Sequence, residues 1–172
     1  MTSITIPNSV KWIGSSAFNG CYKLVEVINN SSLSITKGSS SNGEVAYHAL
    51  NVKKGGSSDV VNQDGYLFYT IDNINFLLGY VGTEKDLVLP KNYNGANYHI
   101  YRYAFCDCGG LTSVTIPNSV TSIGSCSFQN CIGLTNINFE GTKAQWEAIA
   151  KDYNWNDGVA TDCTITCSDG TI

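Results

Sequence analysis

The chain has 172 residues, a formal net charge of −4 and a pI near 5.0, which excludes a phosphate-backbone binder built on clustered Lys and Arg. Apolar residues make up 42% and aromatics 11%, enough for a packed interior and too much for a disordered tail. Charged residues make up only 14%, and Asn, Ser and Thr (18, 18 and 14 residues) fill the polar share.

In chain order, Thr2–Ile6 alternates polar and apolar residues and predicts a short strand, which Pro7 stops by removing a backbone donor. A second strand is expected at Val25–Asn29. Residues 37–43 and 53–58 read as loops, with one short helix at about 43–52, where Val45, Ala46, Ala49 and Leu50 fall on one side. Asp64-Gly65 and Asp72–Asn75 are turn signals around strands Tyr66–Ile71 and Phe76–Val81, a hairpin with apolar residues on both faces. Thr142-Lys-Ala-Gln145 reads as a capping box opening a helix over 143–151, and 161–167 reads as a last strand.

Self-similarity organises these pieces. Residues 1–24 (MTSITIPNSVKWIGSSAFNGCYKL) and 111–134 (LTSVTIPNSVTSIGSCSFQNCIGL) align without a gap. Residues 87–111 are a third copy with a longer corner, and LTNINFEG begins a fourth at Leu134. The period is 23, seen from Leu111 to Leu134 and from Cys108 to Cys131. In one coil, Val114 and Ile116 alternate with Ser113 and Thr115, so one face of a short strand is buried. Val120, Ile123, Phe128, Cys131 and Leu134 return at mixed spacings, which fits a tight loop with a turn or two of helix. A lone coil cannot bury its apolar side, so such units stack.

The motif resembles the BspA-like (Treponema pallidum-type) leucine-rich repeat, Leu-x-x-Ile-x-Ile-Pro-x-Ser-Val-x-x-Ile-Gly-x-x-Ala-Phe-x-x-Cys-x-x-Leu. Residues 2–24 and 111–134 match almost throughout, with Ser127 in place of the alanine, and 87–111 match at Leu89, Pro90, Ile100, Ala104, Phe105, Cys108 and Leu111. The expected fold is a leucine-rich-repeat solenoid of about four coils. It is a right-handed β/α superhelix, with short parallel strands on one face and irregular or short helical turns on the other. The expected organisation is a single domain over 1–172, with coils starting near 1, 24, 87, 111 and 134. An insertion at 30–83 carries the short helix and hairpin, and a capping helix and strand occupy 142–172. Met1 fills the slot that Leu111 fills in the other copy, as in an excerpt from a longer array, and strand Thr2–Ile6 is then an edge open to self-association.

The chemistry-bearing residues point away from catalysis. His48 and His99 lie in different segments with no nucleophile motif beside them, so no enzyme, cofactor or metal is expected. Asp152-x-Asn154-x-Asn156-Asp157-Gly158 departs from a calcium loop, because its glycine comes one residue late and Cys163 stands where a bidentate Glu belongs. With seven cysteines, at least one is unpaired or bonded to another chain. Cys21, Cys108 and Cys131 share a repeat position and read as buried thiols, although adjacent strands also permit a Cys108–Cys131 disulfide.

What remains is an outward strand column: Ser3 and Thr5, Glu26 and Ile28, Asp86 and Val88, Ser113 and Thr115, Asn136 and Asn138. The last eight are the candidate ligand-binding residues, since repeat arrays bind through such faces. The resemblance implies a non-catalytic adhesion or interaction module of a secreted or surface-attached bacterial protein, engaging a protein or glycan of host or other cells. The alternative is a spacer, or the targeting repeats of a larger surface enzyme. No nucleic-acid partner and no membrane-spanning segment are expected, and the opening MTSITIPNSV does not read as a signal peptide.

Overall fold

The computed structural model describes residues 1–172. The chain divides into two compact units: Met1–Val61 with Tyr69–Asp72, and Asn62–Phe68 with Asn73–Ile172. Both are built from β-solenoid coils whose successive strands pair in parallel. Helix is scarce.

In the first unit, β1 (Ser3–Ile6), β2 (Glu26–Asn29) and β3 (Asn51–Lys53) form a parallel three-stranded sheet with Ile4, Val27 and Val52 in one inward row. Residues 43–52 are not the expected helix. Asn42–Glu44 make a single 3₁₀ turn, and β3 follows. Asn42, Gly43 and Glu44 all have positive φ, which a continuing α-helix cannot contain. The stretch expected as an insertion therefore begins by closing a coil, because β3 lies on β2 in register. Strand β1 is a sheet edge, pairing only with β2.

Next come β4 (Val61–Gln63), β5 (Tyr66–Ile71) and β6 (Ile74–Tyr80). Strands β5 and β6 are joined at Asp72-Asn73, both at positive φ, as a two-residue hairpin turn requires.

The rest of the second unit stacks two strand columns. One runs β7 (Asp86–Val88), β9 (Ser113–Ile116), β11 (Asn136–Phe139) and β13 (Thr164–Cys167), all parallel, with β14 (Gly170–Thr171) antiparallel at the end. Its inward row is Leu87, Val114, Ile137 and Ile165. The other column contains β8 (Tyr98–Ile100), β10 (Val120–Ile123) and β12 (Ala150–Lys151), again parallel. The return side is thus not helical: after the Pro117–Ser119 corner the chain re-enters a strand. Val120 and Ile123, which look helically spaced in sequence, are the two inward ends of β10.

The third side is held by backbone bonds between coils, including Phe105 N–H to Ser127 O at 2.7 Å and Phe128 N–H to Trp155 O at 2.7 Å. Tyr103, Cys126 and Asn154 all take positive φ just ahead of those contacts. Phe105 and Phe128 stack at 5.1 Å and 14°, and Trp155 meets Phe128 edge-on. Gly124 is required by close approach, since a Cβ there lies 2.6 Å from the Arg102 backbone nitrogen.

The only α-helix, α1 (Lys143–Ala148), opens with the expected capping box: Gln145 N–H donates to Thr142 Oγ1 at 3.3 Å, and Thr142 N–H to Gln145 Oε1 at 2.8 Å. It is shorter than 143–151, because Ile149 leaves helical geometry and Ala150 begins β12. It also does not cover a final coil. Lying between β11 and β12, it occupies the corner that Pro117–Ser119 fills in the preceding coil, with Trp146 against Phe139 and Trp155.

Ser127 is fully buried and its hydroxyl has no partner, whereas the same repeat position holds Ala104 one coil earlier. Ser127→Ala removes an unsatisfied buried hydroxyl and is expected to stabilise by about 1 kcal/mol. Denaturant unfolding checks this, with a raised midpoint at an unchanged slope as the expected result.

Candidate functional site

The outward positions of the second unit form one continuous, mostly polar face, with Val88 its exposed apolar member. Register sets Asp86, Ser113, Asn136 and Thr164 in one row, and Val88, Thr115, Asn138 and Thr166 in the next. Alternation requires this: with Leu87, Val114, Ile137 and Ile165 turned inward, the flanking residues point out. Asp86 and Val88 are exposed, and Ser113, Thr115, Asn136 and Asn138 are half-exposed. Thr112 and Ser113 hydroxyls each donate to Asp86 Oδ1 at 2.7 Å, and these bonds hold its carboxyl below the ordinary range. At the start of these strands threonine hydroxyls link coil to coil: Thr135 Oγ1 donates to Thr112 O and Thr164 Oγ1 to Thr135 O, each at 3.4 Å. The carboxamide oxygen of Asn136 is buried without a partner.

Thr164 and Thr166 extend the face beyond the six residues expected in this unit. The T-I-T alternation is their sequence signal, but the α1 corner lengthens the spacing from β11 to β13 to 28 residues, from Ile137 to Ile165, and hides the register.

Glu26 and Ile28 do not belong to an open face. Both are buried, at 0% and 1% exposure. Ser3 Oγ donates to the Glu26 carboxylate at 2.9 Å, Lys53 Nζ lies 2.9 Å away, and the Asp59 amide donates at 3.2 Å. Tyr69, itself buried and hydrogen-bonded to Asn51, shares this environment. Burial pushes the Glu26 carboxyl up, but the bonds from Lys53, Ser58, Ser3 and the Asp59 amide outweigh it and leave the group ionised below its ordinary range. Glu26 is thus an anchor for the 53–59 segment. Outward position implied exposure only while nothing crossed the strand.

The histidines remain apart, one in each unit. His48 sits edge-on to Tyr22 and Tyr47. His99 Nδ1 pairs with Ser122 Oγ on the neighbouring strand, a contact that no sequence motif announces. The other hydrogen-bonding neighbour of His99 is Thr121 and the facing ring is Phe76, and burial lowers its pKa, so no carboxylate orients the imidazole as a catalytic base needs. Of the tryptophans, Trp146 is buried, Trp155 is packed against the core, and Trp12 is exposed. Residues 153–158 form turns, and no group of three or more acidic, His or Cys side chains is placed to hold a metal ion.

All seven cysteines are free thiols. Cys131 is buried, donates to Phe105 O at 3.1 Å, and is pushed up to about 12 chiefly by that burial. Denaturing, non-reducing titration is expected to count seven thiols, and fewer than five would reveal a disulfide framework. In the native protein Cys131 is expected to alkylate slowest, because the thiolate is the nucleophile.

No helix is long and apolar enough to cross a membrane. No curated protein matches the chain at a significant level. A leucine rich cell surface protein from Faecalibacterium prausnitzii A2-165, known as a crystal structure, is similar at 24% identity and a TM-score of 0.43, covering 65% of this chain. This chain spans only 30% of that protein's length. The profile of the BspA type leucine rich repeat region matches residues 1–76 and 98–150 in six copies, more than half of the sequence. With parallel coils carrying the same motif in both units, the chain belongs to the BspA-type leucine-rich repeat family.

Proposed function

We propose that this chain is a non-catalytic protein-binding module of a secreted or surface-attached bacterial protein, and that it engages its ligand through the β7–β9–β11–β13 face. The observation that carries the reading is the in-register row Val88, Thr115, Asn138 and Thr166, exposed or half-exposed beside the row starting at Asp86. A rigid face of short side chains, uncharged apart from Asp86, offers hydrogen bonds at small conformational cost on binding, since the strands are already ordered. Side chains of low charge also suit an interface core, where charged residues are depleted. The surface role that the family resemblance implies supports the location.

The test is adhesion of the purified chain to a reconstituted mammalian extracellular matrix. A variant carrying Val88→Lys, Thr115→Glu and Asn138→Lys places alternating charges on adjacent strands, which avoids like-charge repulsion within the sheet. It is expected to lose adhesion while its melting temperature stays within about 2 °C, as surface changes within about 0.5 kcal/mol allow. Undiminished adhesion by this variant overturns the assignment of the face.

A further inference from the structure

We propose that two copies of this chain dimerise through their first coils, β1 of one pairing antiparallel with β1 of the other across a twofold axis. The proposal is independent of the strand face assigned above. What the open coil end lacks is visible inside the molecule, where the same motif recurs with a neighbour. In the 111–134 coil, Ser113 N–H donates to Lys85 O at 3.3 Å and Thr115 O accepts from Leu89 N–H at 3.0 Å. Ser3 and Thr5 hold those repeat positions in the first coil. There Thr2 O and Ile6 O accept from Val25 N–H and Asn30 N–H on the β2 side. By alternation, the backbone groups of Ser3 and Thr5 point to the side on which β1 has no neighbour. Side chains repeat the contrast: Val114, Ile123, Phe128 and Cys131 are 0% exposed, whereas Ile4, Ile13, Phe18 and Cys21 are half-exposed.

Three features select a second copy as the partner. Self-complementarity is the first. Antiparallel pairing about Ile4 sets Ser3 against Thr5 of the second copy and Thr5 against its Ser3, and each such pair exchanges both backbone bonds. Ile4 then faces Ile4 on the axis, at the closer spacing of a non-hydrogen-bonded pair. Since Ile4 lies in the inward row with Val27 and Val52, the two cores become continuous. Charge is the second. Edge strands β3, β7 and β12 carry Lys53, Asp86 and Lys151, which discourage pairing, whereas β1 carries no charge. Closure is the third. At the other end of the chain β14 folds antiparallel onto β13, so head-to-tail stacking finds that strand already covered, and the contact closes as a dimer.

Sedimentation velocity on the whole chain tests this. Between about 1 and about 200 µM the mean mass is expected to rise from 18.6 kDa towards twice that value, with a Kd on the order of 10 µM. Thr5 is exposed and its amide points off the sheet, so Thr5→Pro keeps the fold while removing one intermolecular donor from each copy. Its Kd is expected to rise about tenfold or more at an unchanged melting temperature. Thr5→Lys, which keeps the amide and adds a charge to the edge, is expected to weaken the dimer as well. Amide exchange read by NMR locates the contact: Ser3 and Thr5 are expected to slow as concentration rises, and Val52 on β3 is not. A constant mass of 18.6 kDa, growth beyond the dimer, an undiminished dimer in either variant, or slowing at Val52 in place of Ser3 and Thr5 overturns the proposal. The Val88/Thr115/Asn138 variant separates this contact from the adhesive face, because it is expected to lose adhesion and still dimerise. If that variant is monomeric, the dimer does not form through β1.

Discussion

Replacing Phe128 by alanine is expected to destabilise the second unit by about 3–5 kcal/mol, the cost of deleting a fully buried ring and leaving a cavity. The ring is 0% exposed, stacks on Phe105 and takes Trp155 on its edge, so neighbours on two adjacent coils lose contacts together. Phe105→Ala is expected to fall in the same range, since that ring is 1% exposed. The two losses are not expected to add. Because the rings touch, the double variant should cost less than the sum by about 0.5–1.5 kcal/mol, the worth of an aromatic pair beyond its area. Urea unfolding of the four proteins measures this cycle. Losses below 1 kcal/mol in both single variants would mean that the coils do not share a core.

The second large effect concerns the buried carboxylate of the first unit. Lys53→Ala removes the cation from Glu26 and leaves an ionised group at 0% exposure held only by Ser3, Ser58 and the Asp59 amide. The expected loss is about 3 kcal/mol, the lower part of the range for breaking a buried pair, because those hydrogen bonds persist. At about 2–4 °C per kcal/mol for a chain of this length, the melting temperature should fall by about 6–12 °C.

Acidity provides a second readout. The folded-state pKa of Glu26 lies below its ordinary value of 4.5, so its contribution is fully present above that value and is lost as pH falls through the folded pKa. The native chain should lose stability below about pH 4.5 through this group. Glu26→Gln should be less stable at pH 7 and show a shallower acid decline. Parallel acid declines in the two proteins would place the carboxylate outside the network.

Much of this protein was legible before any coordinates, for a definite reason. A 23-residue period repeats one set of burial constraints, so Leu111, Val114, Ile116, Ile123, Phe128 and Cys131 reveal the inside of a coil by recurrence. The Thr142–Gln145 capping box was legible because its hydrogen bonds are local. Local chemistry fixes Asp72-Asn73 as a turn in the same way.

The rest required partners distant in sequence. Val120–Ile123 is a strand because β8 and β12 offer backbone groups on either side. Residues 51–53 are a strand because β2 does the same, whereas the spacing of 45–50 alone favoured a helix. The site divided along the same line. Alternation was enough to turn Asp86, Val88, Ser113, Thr115, Asn136 and Asn138 outward, and they stay exposed or half-exposed. The same alternation misplaced Glu26 and Ile28, whose burial, together with the ion pair from Lys53 to Glu26, depends on how a distant segment returns. Periodicity determines which side of a strand faces the core, while only the tertiary path of the chain decides whether the other side meets water.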